Sequence, residues 1–464
     1  MTRLIPCLVL CVFAGLNSRA MADDWNQWLG NQRDGVWREK GIVESFPKGG
    51  PKKVWEAPVG AGYTGPAVSH GKLFLMDRHL SKGAHNPESA FSTAHVDGNE
   101  RLLCFDSQTG KLLWNYEYHS TYRISYASGP RCTPIVDENR VYFLGAMGNL
   151  HCCNTADGKV IWKQNLAKSF DSTIPVWGFA AHPLVDGNQI ICVAGGHDNH
   201  AVVALDKMTG KQRWHALSCP GDVGYCPPMI FEFGGRRQLI IWHAKAVNGL
   251  EPETGKLIWT VPFECRASLN VATPRKVEGD RLFLTSFYTG SMLLKVTADS
   301  ASVVWKGLGK GERPQQTTDL NSIMATAAID GPYAYSVCSY GELRGIDVLT
   351  GKRLWATNKA TRGSLTPANV ANRDEPSEKQ PWMERWAHAF ITPHEGHYFL
   401  FNEQGELIIA KMSPKGYAEV DRAKLIEPTN KMAGRPVVWT HPAYADKKIF
   451  VRNDEKLVCY DLAK

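Results

Sequence analysis

The chain has 464 residues, 43% hydrophobic and 21% charged, with 42 glycines, 15 tryptophans and a formal net charge of +7. That balance excludes a disordered chain and an integral membrane bundle. The charge, spread over this length, makes no case for a nucleic-acid partner.

The first element is an apolar run, MTRLIPCLVLCVFAGLNSRAMA, with Arg3 at its basic end and the small residues Ala20 and Ala22 at cleavage spacing. It reads as a secretory signal peptide, residues 1–22. Its apolar core falls short of the roughly 20 residues that a spanning helix needs. Cys11 follows Leu10, a large residue, which argues against lipid attachment. The expectation is an exported protein, periplasmic or extracellular, with no transmembrane segment after cleavage. The ten cysteines that remain are too sparse for a disulfide framework, although Cys219 and Cys226 flank one short loop and are a candidate pair.

From there on the chain repeats itself. LLCFDSQTGKLLW ends at Trp114, HCCNTADGKVIW at Trp162, VVALDKMTGKQRW at Trp214, NGLEPETGKLIW at Trp259 and LRGIDVLTGKRLW at Trp355. LLKVTADSASVVW ends at Trp305 without the Gly-Lys turn, and GGPKKVW ends at Trp55. Each unit is an apolar run of period two, a turn, and a second alternating run, which is a β-hairpin. A second hairpin lies upstream, as in PIVDENRVYFLG. Two hairpins make a four-stranded antiparallel sheet, and a ring of such sheets is a β-propeller. The chain ends are half-motifs: Trp55 closes a lone outer strand, and KLVCYDL lacks a fourth strand. Pairing the two closes the ring and removes its edges. The expectation is all-β: an eight-bladed propeller over 51–464, its last blade completed by the N-terminal strand, with 23–50 as an extension packed on it.

The D-x-x-T-G-K-x-x-W turn resembles the blade signature of the PQQ-like β-propeller family, which includes the outer-membrane assembly lipoprotein BamB and the quinoprotein alcohol dehydrogenases. The segment Trp25 to Gly35, WNQWLGNQRDG, and the stretch WGFAAHPLVDG at 177–187 are similar to exported PQQ-like proteins of Planctomycetes. The resemblance covers nearly all of the mature chain. It implies the fold far more strongly than any one function.

The repeated residues read as structural. Turn glycines supply positive φ, Asp106, Asp206 and Asp347 bond turn amides, and the tryptophans pack between blades. Function is expected where the repeat breaks, at one mouth of the central channel, where the innermost strands begin. Tyr63, Arg131, His182, Tyr225, Asn270, Asn321, His388 and His441 occupy that position. Enlarged loops add Tyr122, Tyr126, Trp177, His243, Trp382, Arg385 and Trp386. Aromatic rings with arginine suit a carbohydrate or anionic ligand, since rings stack on sugar faces and guanidinium grips a carboxylate or sulfate.

Three functional readings follow. The first is a binding or scaffold protein, as the BamB resemblance implies, with an envelope protein partner or a mouth ligand and no cofactor. The second is a polysaccharide-active enzyme, a lyase before a hydrolase. Arg131 would neutralise a uronate, His182 or His243 would take the C5 proton, and Tyr225 or Tyr122 would protonate the leaving oxygen. Tyr63, Trp177, Asn270, Trp386, His388 and His441 would hold the ligand. The third is a PQQ-dependent oxidoreductase, for which the resemblance implies quinone, calcium and an Asp base; some such enzymes bridge adjacent cysteines, which draws attention to Cys152 and Cys153. Alternation along a strand instead puts those two on opposite faces, and no C-x-x-C-H haem motif occurs. His197-x-x-His200 is a weak candidate for calcium or another metal.

Overall fold

Alternating apolar residues and tight turns produce, in the computed structural model, eight four-stranded antiparallel sheets among the described residues. The structure describes residues 24–307, 311, 313–362, 385–432 and 435–464. The proposed signal peptide and most of the insertion after Trp355, Trp382 included, lie outside them. Blade 1 spans Ala67–Ser69 to Leu112–His119, and blades 2 to 7 follow in chain order up to Gly416–Lys424. Blade 8 combines Ala443–Ala445, Lys448–Arg452 and Lys456–Asp461 with the N-terminal strand Lys53–Pro58. Trp55 pairs Cys459 and Ala57 pairs Leu457, so the ring closes as the half-motifs predict. A small two-stranded ribbon, Asn430–Met432 with Arg435–Val437, stands between blades 7 and 8.

The repeated tryptophan has a local cause. In seven of the eight outer strands the residue just before Trp is skipped by the pairing register: Trp114 faces Cys104 while Leu112 faces Phe105, and Trp162, Trp214, Trp259, Trp305, Trp355 and Trp55 repeat the pattern. This bulge twists the strand and turns the indole inward. The skipped residues Leu113, Ile161, Val304 and Val54 are left exposed. The indoles of Trp55, Trp114, Trp162, Trp214 and Trp305 each meet the turn glycine of the following blade. A Cβ on Gly158 would sit 2.6 Å from the Trp114 ring, and one on Gly210 2.7 Å from Trp162. The Trp162 N–H donates to Lys207 O at 2.9 Å, and that of Trp55 to Ser107 O at 3.0 Å. The Asp106 carboxylate accepts from the amides of Gln108 and Thr109, fixing the same turn.

The core lies between neighbouring sheets rather than within one. Cys152 packs with Trp162, Ile190 and Val203 toward blade 3, whereas Cys153 packs with Phe74, Met76 and Leu102 toward blade 1. All ten cysteines among the described residues are buried free thiols. The Cys219–Cys226 pairing is therefore corrected: Cys219 packs with Val193 and Ala244, Cys226 with Trp242 and Phe263, in separate clusters.

The segment before the first strand crosses the ring. Trp25 forms a bridge with Val68, Asn26 exchanges two hydrogen bonds with Val136, and Arg33 donates to the carbonyls of His182, Pro183 and Pro228. Arg275 donates to Asp34 O, Trp37 N–H donates to Pro393 O, and Trp37 stacks near Tyr444. These contacts touch the inner strands, or the residues leading into them, of blades 1 to 5, 7 and 8. No described helix is long and apolar enough to cross a membrane.

Candidate functional site

A cavity of about 400 Å³ opens where the innermost strands begin. Its volume is in the range of small-ligand sites. Tyr63, Arg131, His182, Tyr225 and His441 come from the residues leading into five inner strands, and Trp177 and Trp386 from blade connections. These seven sequence candidates share one cavity with two more, Tyr126 and Arg385. Phe91, Tyr288, Phe390 and Trp439 also line it, as does Trp28 of the N-terminal segment.

The floor is rigid. Trp28 stacks on His182 with ring centroids 4.2 Å apart and planes 6° apart, and meets His441 edge-on at 4.5 Å. The Trp28 N–H donates to Thr273 Oγ1 at 3.1 Å. Thr133 ties both imidazoles: its amide donates to His182 Nδ1 at 2.9 Å, and its hydroxyl lies 2.6 Å from His441 Nε2. Burial lowers the pKa of His441 to about 3, and burial with the neighbouring His441 and Arg33 holds that of His182 well below the usual imidazole range. Both are neutral rings at pH 7.

The walls and rim are aromatic. Trp177 lies 5.4 Å from Tyr225, Phe91 5.5 Å from Tyr126 and 5.7 Å from Trp386, and Tyr126 5.7 Å from Trp439. The Tyr225 hydroxyl donates to Asp222; burial and that carboxylate raise its pKa, so it is a poor proton donor. Arg131 donates to the carbonyls of Ser125, Tyr126 and Gly129, and its guanidinium lies 5.2 Å from the Tyr63 ring centre. It is thus a clamp on the loop before blade 2 as well as a cation at the rim. Its hydrogen bonds among the described residues all go to neutral carbonyl oxygens. Arg385 lies 4.5 Å over Trp386 and donates to the Tyr288 hydroxyl at 2.9 Å.

Other candidates lie elsewhere. Tyr122 is fully buried, its hydroxyl on Glu100 and its ring 3.8 Å under Arg78. His243 accepts the amides of Lys245 and Ala246 at its own turn. Asn270 bridges Tyr225 N–H and Trp242 O between blades. Asn321 donates to Phe287 O. His388 is buried behind the wall, against Phe390 at 4.8 Å and Trp439 at 6.0 Å. His200 stacks on His215 at 3.9 Å and on Phe170 at 5.3 Å, with Nδ1 on His197 O. Among the described residues no three His, Cys, Asp or Glu side chains gather as a metal site.

The donor set does not fit a quinone held with calcium. No aspartate or glutamate lines the cavity among the described residues, whereas calcium takes six to eight oxygen ligands, carboxylates prominent among them. The adjacent cysteines are unpaired and point to opposite sheet faces.

Comparison with known proteins agrees with this architecture. The sequence model of the family described as "Outer membrane protein assembly factor BamB" matches residues 98–263 and 231–376. BamB of Salmonella typhimurium is 30% identical over 143 residues, 29% of this chain and 31% of that protein. BamB of Moranella endobia is 22% identical over 253 residues, 52% of this chain and 59% of that protein. The chain thus spans less than two thirds of the length of these relatives. The quinohemoprotein alcohol dehydrogenase of Comamonas testosteroni superposes with a TM-score of 0.58 at 12% identity, over 94% of this chain and 80% of that one, a likeness of fold alone. With the blade pattern matched over more than half of its length, this chain belongs to the PQQ-like, BamB-type β-propeller family.

Proposed function

We propose that this protein is an exported binding protein whose mouth cavity holds a carbohydrate ring bearing an anionic group. One observation carries the reading: stacking surfaces and two arginines converge on one cavity, while its acid–base groups are engaged in holding the wall. His182 and His441 are neutral and bonded to Thr133, and the Tyr225 proton is directed at Asp222. The indoles and phenols offer faces for the C–H surface of a sugar, and the charge of Arg131 favours a carboxylate or sulfate at the rim. The lyase reading has less support, since His243 and Tyr122 are committed to structural bonds elsewhere. The N-terminal apolar run supports export.

Calorimetric titration with galacturonate, alginate and chondroitin sulfate oligosaccharides, against neutral dextrins, tests the proposal. Saturable binding of an acidic oligomer is expected, weakened by about 1.5–3 kcal/mol in Arg131→Ala. Because Arg131 also clamps three carbonyls, Arg131→Lys, which keeps the charge, serves as the comparison. No binding by the wild type to any of them would overturn the proposal. A second reading, docking of an envelope protein partner, is supported by the family's printed description. A partner captured from an exported fraction and competed off by no oligosaccharide would favour it.

A further inference from the structure

The segment 24–37 does more than pack on the propeller. It lies across the inner strands at positions a few residues beyond those that line the cavity: Val68 beyond Tyr63, Val136 beyond Arg131, Pro393 beyond Phe390. An extended chain rises about 3.3 Å per residue, so these contacts lie deeper in the channel than the mouth. From them Trp28 reaches up to the cavity as the one residue of this segment that lines it. Its indole is fixed by Thr273, His182 and His441, and the chain behind it is fixed by the buried Arg33, which holds carbonyls of blades 3 and 4. The segment is built as a plug.

We infer that this plug makes the channel blind, and that the cavity therefore recognises the terminal unit of an acidic oligosaccharide, with Trp28 as the floor against which the end ring rests. The inference rests on the binding reading above and adds how the chain is held. Here a chain end enters a mouth lined by Arg131 and Arg385 and stops at Trp28. A cavity of about 400 Å³ closed at its floor by Trp28 seats a chain end, with the following units outside it. The anionic groups of the next units then fall at the level of the two arginines.

The test uses the full chain and the same galacturonate, alginate and chondroitin oligomers at two, four and eight units, with the high-mass polymer of each. End recognition predicts one protein bound per chain at every length. It also predicts affinity per mole of chain that levels off after the tetramer, and affinity per mole of sugar that falls in proportion to polymer length. Trp28→Ala is expected to weaken dimer binding at least tenfold, and Trp28→Phe to retain most of it, which separates a platform from a mere folding residue. Several proteins bound per long chain, with affinity rising steadily to the octamer, would overturn end recognition while leaving the binding proposal intact. Dimer binding unchanged in a folded Trp28→Ala would likewise overturn it. No binding of any oligomer by the wild type would overturn both.

Discussion

The contact between an indole and a turn glycine recurs at five of the eight blade junctions. Gly158 has φ +73° and a position where a Cβ would lie 2.6 Å from Trp114. Gly71 has nearly the same φ, +74°, with nothing within 4 Å. Replacing each by alanine separates two costs. Gly71→Ala is expected to cost about 1 kcal/mol for the left-handed backbone alone, and Gly158→Ala about 2–4 kcal/mol because the blade contact must also open. Urea unfolding of the two variants measures the difference, and equal losses would remove the indole contact from the account. At this scale the sequence is a good guide to structure and a poor one to the site. The T-G-K-x-x-W turn announces its own packing because its partners recur at a fixed interval. Tyr122 and His243 resemble site residues in sequence, yet one serves Glu100 and Arg78 and the other caps a turn, since a buried polar group takes the nearest donor or acceptor.

Among the elements, the strand Lys53–Pro58 has the largest consequence for its length. It supplies the outer edge of blade 8, with the same bulge before Trp55 as the other outer strands, and its indole rests on Gly110 of blade 1. Deleting residues 23–56 removes the first four residues of that strand and the plug together. The truncated chain is expected to melt at least 10 °C lower and to aggregate through the exposed edge of Lys456–Asp461. Thermal melting and light scattering measure both, and wild-type values would contradict closure by this strand. Its role was legible because both chain ends carry half-motifs. The plug was only partly legible. WNQWLGNQRDG stands out in sequence, but the pairing of Trp28 with His182 and His441 joins residues more than 150 positions apart, and no local pattern encodes it.

At the scale of the whole molecule, the blades close around neutral imidazoles. Burial lowers the pKa of His151 and His243 to about 4 and of His388 and His441 to about 3, and His182 is held well below its ordinary value. A lowered folded-state pKa means that the unfolded chain takes up protons first as pH falls through about 6.5. Stability conferred by the neutral rings is therefore complete above that pH and declines below it, by up to about 2 kcal/mol per ring at pH 5. Melting temperature should fall from pH 7 to pH 5, and His441→Gln should flatten that slope; a flat wild-type profile would contradict the burial of these rings as neutral groups. The ring and its mouth follow from repetition and its breaks. The aromatic rim follows in part: Tyr126 and Trp386 stand in the enlarged loops, but Phe91 and Trp439 join them only once blades 1, 2, 7 and 8 are adjacent.

Trp28, Trp177, Trp386 and Trp439 all line the cavity, so the protein carries its own optical probe there. Titration of the intact chain with the tetramers of galacturonate, alginate and chondroitin sulfate, followed by tryptophan fluorescence, reads the site directly. The account predicts, with at least one of them, a saturable change that Tyr63→Ala shifts to about tenfold higher ligand concentration with the fold unaltered. A wild-type signal that saturates with none of them, or a saturable one indifferent to Tyr63→Ala, would contradict the assignment of this cavity as the ligand site.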